Sequence, residues 1–328
     1  MDVLLLGGTG WLGGEIAKAA LGRGHQVTAL ARGTAAAPDG VRLVRADRAE
    51  SGAYDEVRQR HWDLVLDVAW QPGLVRSAVD ALGERTARWV YVSSGSVYRR
   101  TDDPVGDEND PVHDPLEADR AERDQYAAAK VACEQAVARL GERAVIARVG
   151  LIGGSGDASD RFGYYPAAFA RAGTEPVLLP AIGASTVQTI SAAELADWLV
   201  VVGASDEHGV FDAYGEPIAF ADLMALARSA AGHAGRVVEA EPGWLTAHGV
   251  DHFAGPRSLP LWLPDGHELT VVRPSGRARA AALSWRPYRR MIDEALRDER
   301  ALGFDRARRA GLTRTDERAL LQALEGSP

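Results

Sequence analysis

A doubly wound α/β fold is what the sequence predicts: a parallel sheet between two layers of helices, with a smaller lobe at its carboxyl edge. Three observations carry this expectation. Short apolar runs alternate with alanine-rich helical stretches through the first 150 residues. The runs are apolar almost without interruption, which is the pattern of strands buried on both faces. The first run empties directly into a cluster of glycines that opens a helical stretch.

Taken in order, strands are expected at 2–6, 26–31, 41–45, 64–68, 89–93 and 144–148, and helices at 11–23, 73–82 and 125–140. Strand, helix and strand at this spacing make parallel crossovers. Beyond residue 150 the pattern loosens. A loop rich in Gly, Ser and Asp at 153–163 precedes helices at 164–172 and 194–202. A proline-bracketed apolar segment follows at 259–264, then amphipathic helices at 284–300 and 315–324. Residues 1–150 are therefore expected to form the main domain, with 185–202 returning to it. Residues 151–184 and 203–328 then form the smaller lobe, at the sheet edge where ligands of such folds bind.

Composition narrows the function. The 328 residues are 46% hydrophobic, enough for a sizeable core, and carry a net charge of −9. Nucleic-acid binding needs clustered positive charge, so no nucleic-acid partner is expected. No apolar run approaches the roughly 20 residues that span a bilayer, and the run at 3–6 is too short for a signal-peptide core. A cytoplasmic protein with no membrane partner is expected. The single cysteine, Cys133, excludes an intramolecular disulfide and a cysteine-based zinc cage. On an alanine-rich helix it reads as a small buried hydrophobe. His248 and His252 are four apart, but Gly249 lies between them and no acidic partner is evident, so no metal is expected. Of the 37 basic residues only Lys18 and Lys130 are lysine. In so arginine-biased a chain, a retained lysine points to a need for the compact ammonium. Lys18, on the solvent side of the first helix, is the exception.

Three motifs carry chemistry. In Gly7-Gly8-Thr9-Gly10-Trp11-Leu12-Gly13-Gly14, Gly7 permits a tight turn and Gly10 lets the backbone approach a pyrophosphate. Gly13 allows the helix to pack closely on the strand, and the helix amino end faces the anion. A glycine trio is weak alone, but here it stands between strand and helix, as dinucleotide binding requires. In Tyr126-Ala127-Ala128-Ala129-Lys130 a phenol and an ammonium share one helical face. A nearby cation would lower the phenol's pKa toward a range useful for proton transfer. In Tyr91-Val92-Ser93-Ser94-Gly95-Ser96-Val97-Tyr98, small hydroxyls stand at the carboxyl end of a central strand.

Together these motifs resemble the extended short-chain dehydrogenase/reductase family, in the NAD-dependent epimerase/dehydratase group. The resemblance covers most of the chain: 7–13, Asp47 with Arg48 after the third strand, Asp67-Val68-Ala69, Ser94, Tyr126, Lys130, 148–154 with Val149, and 188–196. The block around Trp262 and the terminal Gly311-Leu312 helix look like an actinobacterial reductase-like branch. The resemblance implies a Rossmann-type sheet with a C-terminal substrate lobe. It implies Ser94 as the hydroxyl that binds the substrate oxygen and Tyr126 as general acid/base. Lys130 lowers the tyrosine pKa and holds the nicotinamide ribose. Gly7, Thr9, Gly10, Trp11, Leu12, Gly13, Arg32, Asp47, Arg48, Ala69 and Val149 are then cofactor-binding, as are Tyr126 and Lys130. Hydride passes between the nicotinamide and a substrate carbon.

Departures from the family pattern sort its reactions. Dehydratases of the family carry Asp-Glu after the catalytic hydroxyl, whereas Ser94 is followed by Gly95 and Ser96. Nucleotide-sugar members carry Arg-Asp ahead of an Ile-His-Val strand, and the Arg grips the diphosphate. Val187 and Gln188 occupy those places here, ahead of Thr189-Ile190-Ser191. Arg257 or Arg273 is left as a substitute cation. The reading is an NADP(H)-dependent oxidoreductase reducing a ketone, imine or enone on a small molecule. The alternatives are a redox-neutral nucleotide-sugar epimerase or dehydratase, and a non-catalytic dinucleotide-binding or RNA-associated protein, which the complete Ser94, Tyr126 and Lys130 set disfavours. NADP(H) is expected over NAD, because the acidic position that ends the second strand in NAD-specific relatives falls on Ala31, followed by Arg32. Trp70, Ser96, His113, Tyr164 and Trp262 are candidate pocket residues, although packing explains several of them as well. The acidic run 102–119 reads as a solvated loop or a lid. A homodimer is left open.

Overall fold

The computed structural model describes residues 1–99, 105–263 and 272–326. The chain runs β1 (Asp2–Leu6), α1 (Trp11–Gly22), β2 (Gln26–Ala31), β3 (Arg42–Arg45), β4 (Trp62–Asp67), α2 (Pro72–Leu82), β5 (Thr86–Val92), α3 (Tyr126–Ala138) and β6 (Ala144–Val149). It continues through β7 (Leu151–Gly153), α4 (Tyr164–Ala172), β8 (Val177–Pro180), β9 (Thr186–Ser191), α5 (Ala192–Gly203), β10 (Gly209–Ala213), β11 (Pro217–Ala219), α6 (Phe220–Ala231), β12 (Val237–Ala240) and α7 (Pro242–Ala247). Helices α8 (Gly276–Ala280), α9 (Tyr288–Leu302) and α10 (Arg314–Glu325) close it.

Seven strands form one parallel sheet in the order β10-β6-β5-β4-β1-β2-β3. Val3, Leu4, Leu5 and Leu6 are all fully buried, because β1 is central and covered on both faces. Burying one such side chain stabilises by about 1.5–3 kcal/mol, so this run has no other stable place. One face packs against α1 and α5 through Ile16, Ala20, Leu195 and Trp198. The other packs against α2 and α3 through Val75, Leu82, Cys133 and Val137. The chain order reverses between β1 and β4, and that switch point is where ligands of such sheets bind.

The six expected strands and three helices of the first 150 residues all form, with ends shifted by a few residues. The second half departs more. Strand β10, expected in the lobe, pairs with β6 and extends the main sheet, with Phe211 fully buried. Helix α6 was not expected, although Phe220, Leu223, Met224 and Ala227 stand at helical spacing and are buried. The sheets β11-β9-β7 and β12-β8 were also unforeseen. Their short strands owe their state to distant partners rather than to a long local pattern. The lobe has its own core, which includes Tyr165, Phe169, Val177, Leu259 and Trp262. Of the apolar segment 259–264, Pro264 lies outside the described residues, as do residues 102–104 of the acidic run. Among the described residues, no helix is long and apolar enough to cross a membrane.

Candidate functional site

The glycine turn forms as its spacing demands. Gly7 has φ +98°, a left-handed conformation that L side chains rarely adopt. A Cβ on Gly13 would stand 2.5 Å from the Gly7 carbonyl oxygen and 2.8 Å from Gly8 Cα. Gly10 is different, with no protein atom nearer than 3.9 Å to such a Cβ. The space over Gly10 is therefore left to something other than protein. No side chain caps α1 and no acid stands in its first turn, so its leading amides remain available to an anion. These features fit a dinucleotide pyrophosphate.

Gly13→Ala is expected to lower the melting temperature by several degrees and weaken cofactor binding, because backbone must shift at a cost of about 1–3 kcal/mol. Gly14→Ala, one residue on, meets nothing within 4 Å and is expected to be neutral or mildly stabilising. Melting curves and cofactor titrations of the pair check this. Equal behaviour would remove the close-packing role of Gly13.

A cleft of about 990 Å³ opens from this turn, with Gly7, Thr9, Gly10, Arg32, Asp47 and Ala69 in its wall. Asp47 caps the amide of Ala49 at 3.0 Å. Arg32 is exposed and has no hydrogen-bond or ion-pair partner among the described residues. Arg48 also reaches the wall, but its guanidinium is committed. It donates to both Asp67 oxygens at 2.8 and 2.7 Å, to the Leu74 carbonyl at 2.7 Å and to the Tyr54 hydroxyl at 3.1 Å. Its expected role as a direct cofactor ligand thus becomes one of bracing β4, since Asp67 is fully buried and needs a counter-charge. Trp11 turns its indole to the lobe, donating to the Ser155 carbonyl at 2.9 Å. Val149 is buried in the core beneath the sheet, and Leu12 packs, partly buried, against the same core.

The three residues expected to be catalytic, Ser94, Tyr126 and Lys130, come together beside the cleft. Ser94 stands two residues beyond the end of β5, and its hydroxyl accepts from the Ser96 amide at 3.2 Å. Tyr126 opens α3, with its ring 5.5 Å from that of Trp70, which lines the cleft. Lys130, one turn on, is buried and donates to the carbonyls of Ala69 at 3.0 Å and Val92 at 2.7 Å. Two of its three N–H groups are thereby engaged and one is left, as a ribose contact would need. Burial pushes Lys130 down to about 8, with Cys133, Asp67 and Glu134 opposing.

Tyr126 departs from expectation. Its pKa is raised by burial, and the groups that pull it down are the Ser94 hydroxyl and Arg161. The Lys130 ammonium lies 6.0 Å from the ring centre, so its first task here is to hold the Ala69 and Val92 carbonyls. The other lysine, Lys18, makes an exposed pair with Glu15. Cys133 is buried and its thiol is pushed up to about 11.

Beneath the trio lies a charged floor that the sequence reading missed. Ser93 donates to Glu134 at 2.5 Å, and Glu134 pairs with Arg148 at 2.8 Å. Tyr98 donates to Asp212 at 2.7 Å, and Arg273 pairs with Asp212 at 2.9 Å and Asp110 at 2.7 Å. Arg273 is therefore no substitute diphosphate cation. Nor is Arg257, which is held by Asp316 and by the carbonyls of Gly249 and His248. Gln188, at the place of the family's acidic residue, donates to the Gly215 and Arg273 carbonyls and accepts from the Arg273 amide.

The pocket candidates divide. Trp70 lines the cleft beside Tyr126, and Ser96 is exposed next to Ser94. His113 is exposed, its amide donating to the Val97 carbonyl. Tyr164 and Trp262 are corrections. Tyr164 is 1% exposed and packed over Gly311, and Trp262 lies in the lobe core against His252 at 3.9 Å. Both rings find more apolar surface inside the lobe than a pocket wall offers. His248 stacks on Trp244 at 3.7 Å. Among the described residues, no group of three His, Cys, Asp or Glu side chains is arranged to hold a metal. The segment before α3 is clamped to α2 rather than loose. Gln71 exchanges two hydrogen bonds with Ala121, and Arg76 holds Asp119 and the Leu116 and Glu117 carbonyls.

Fold and site together define an extended short-chain dehydrogenase/reductase with a nicotinamide dinucleotide as its cofactor. The chain belongs to the NAD-dependent epimerase/dehydratase family, whose pattern matches residues 3–210. No curated protein matches it. Among solved structures, the UDP-glucose 4-epimerase of Thermus thermophilus in complex with NAD is 16% identical, with 92% of this chain and 100% of that one covered and a TM-score of 0.67. The UDP-glucuronic acid 4-epimerase from Bacillus cereus in complex with NAD is 12% identical over 92% and 99%, with a TM-score of 0.67. The UDP-N-acetylglucosamine 4-epimerase from Bacillus cereus is 15% identical over 92% and 98%, with a TM-score of 0.65. At such identities the likeness is one of fold. Family and neighbours together speak more for the epimerase/dehydratase alternative than for a carbonyl reductase.

Proposed function

We propose that this protein is an NADP(H)-dependent oxidoreductase acting on the carbonyl or carbinol carbon of a small molecule. The bound nicotinamide supplies or takes up the hydride, and the chain's own residues handle the proton. Ser94 holds the substrate oxygen, Tyr126 gives or receives its proton, and Lys130 fixes the carbonyls around them while keeping one N–H for the ribose. The observation that carries this over a nucleotide-sugar reaction is the state of the cations in the lobe. Val187 stands where the family's arginine grips a diphosphate, its neighbour Gln188 is spent on the Gly215 and Arg273 carbonyls, and Arg257 and Arg273 are both committed to carboxylates. A diphosphate bound beside Val187 and Gln188 would lack charge-assisted hydrogen bonds from Arg257 and Arg273.

The second reading is a redox-neutral epimerase, favoured by the family match and by the epimerases that share the fold. Dehydration is disfavoured by Gly95 and Ser96 after Ser94. The net change in cofactor separates the two. The purified protein is incubated with NADPH and a panel of ketones, imines and enones, and separately with nucleotide sugars. Stoichiometric loss of NADPH absorbance with the first panel supports the oxidoreductase. Conversion of a nucleotide sugar without net cofactor change would overturn it.

A further inference from the structure

Arg161 is a partly buried guanidinium without an acid of its own. It lies in the loop between β7 and α4, and its Nε donates to Ser159 Oγ at 2.9 Å. Its plane lies over the Phe253 ring, 4.4 Å from the centre. Among the described residues no carboxylate forms an ion pair with it. Asp157, the carboxylate whose charge it feels, is engaged by the Ser159 amide and hydroxyl and by the Phe162 amide. Desolvation holds the Arg161 pKa below the usual guanidinium value, with Asp157 and Tyr126 pulling it back up. The phenol of Tyr126 feels the same charge.

The backbone is strained to hold this arrangement. Asp160, immediately before it, has φ 61°, and so has Phe253 beneath it. A left-handed aromatic residue is an outlier of the kind that gathers at ligand clamps. Asp160 is kept in place by Arg306 and by the Arg309 amide at 2.8 Å. The bond from Trp11 to the Ser155 carbonyl ties the loop to the first turn of α1, beside the cofactor cleft. A desolvated, unpaired guanidinium is costly unless a partner arrives.

We propose that Arg161 recognises the substrate, binding an oxyanion (carboxylate or phosphate) on the same small molecule whose oxygen Tyr126 serves. This deepens the oxidoreductase reading and rests on it. The planar fork of an arginine suits bidentate capture of either anion. It also explains how the site can dispense with a cation at Val187 and Gln188: the anion is held near the reacting end of the substrate rather than at a remote diphosphate.

The test uses protein saturated with whichever nicotinamide dinucleotide binds more tightly. Oxamate and inorganic phosphate are titrated separately by calorimetry into wild type, Arg161→Gln and Arg161→Lys, with melting curves and cofactor affinities recorded for each. At least one anion is expected to bind wild type, roughly tenfold or more weakly to Arg161→Gln, and at an intermediate level to Arg161→Lys, which keeps charge but loses the fork. Binding of oxamate alone assigns a carboxylate, and of phosphate alone a phosphate. Failure of both anions to bind wild type, or equal binding to a well-folded Arg161→Gln, overturns the proposal. Neither titration depends on turnover, so its failure is separate from failure of the NADPH-consumption test.

Discussion

Tyr126→Phe is expected to lower turnover by about a hundredfold or more, the usual worth of a positioned general acid, while cofactor affinity stays close to wild type. The ring will still pack against Trp70, and Lys130 will still hold the Ala69 and Val92 carbonyls, because neither contact uses the phenol oxygen. Steady-state rates beside a cofactor titration give both numbers. Near-wild-type turnover would take Tyr126 out of the chemistry. The pH profile adds a second readout. Lys130 is held down to about 8 by burial, so its ammonium is complete below that pH and lost as pH rises through it. Tyr126 is raised by burial and keeps its proton over the same range. In the reductive direction the rate should therefore fall above pH about 8, and the fall belongs to Lys130. Lys130→Ala should lose rate and cofactor affinity together and no longer show that limb. An unchanged limb in this variant would assign it to another group.

The second large effect is expected at Arg32. Ala31 closes β2 without the carboxylate that would repel a 2′-phosphate, and Arg32 stands exposed on the cleft wall with its guanidinium uncommitted. A charge-assisted contact of about 1.5–3 kcal/mol corresponds to a roughly ten- to hundredfold preference for NADPH over NADH. Arg32→Ala should remove most of it and leave NADH binding nearly unchanged. Two epimerases of the same fold hold NAD, so the measurement discriminates. Equal affinities in wild type, or no loss of NADPH affinity in the variant, would remove the preference.

Tyr126, Lys130 and Arg32 stand at positions that the sequence already made legible. Gly7, Gly10 and Gly13 could be read because turn, open approach and close packing each make a demand within a few residues of chain. Tyr126 and Lys130 could be read because one helical turn places them on the same face. The strands of the main sheet could be read because a two-sided burial needs an unbroken apolar run, and Val3 to Leu6 supply one. Strand β10 escaped because its place beside β6 is decided by pairing with a segment far away in the chain, and its five residues carry little local signal.

What the sequence determined by itself, then, is the doubly wound sheet, the glycine turn and the tyrosine–lysine face, since each is encoded in the spacing of near neighbours. The fate of the charged residues was decided only in three dimensions. Of 37 basic residues all but two are arginine, and as letters they are indistinguishable. The fold commits Arg48 to Asp67, Arg148 to Glu134 and Arg273 to Asp212, because each of those carboxylates is buried and would be costly alone. It leaves Arg32 and Arg161 without acids. Which guanidinium is free depends on whether a carboxylate from a distant segment arrives beside it, and that distance exists only once the chain has folded.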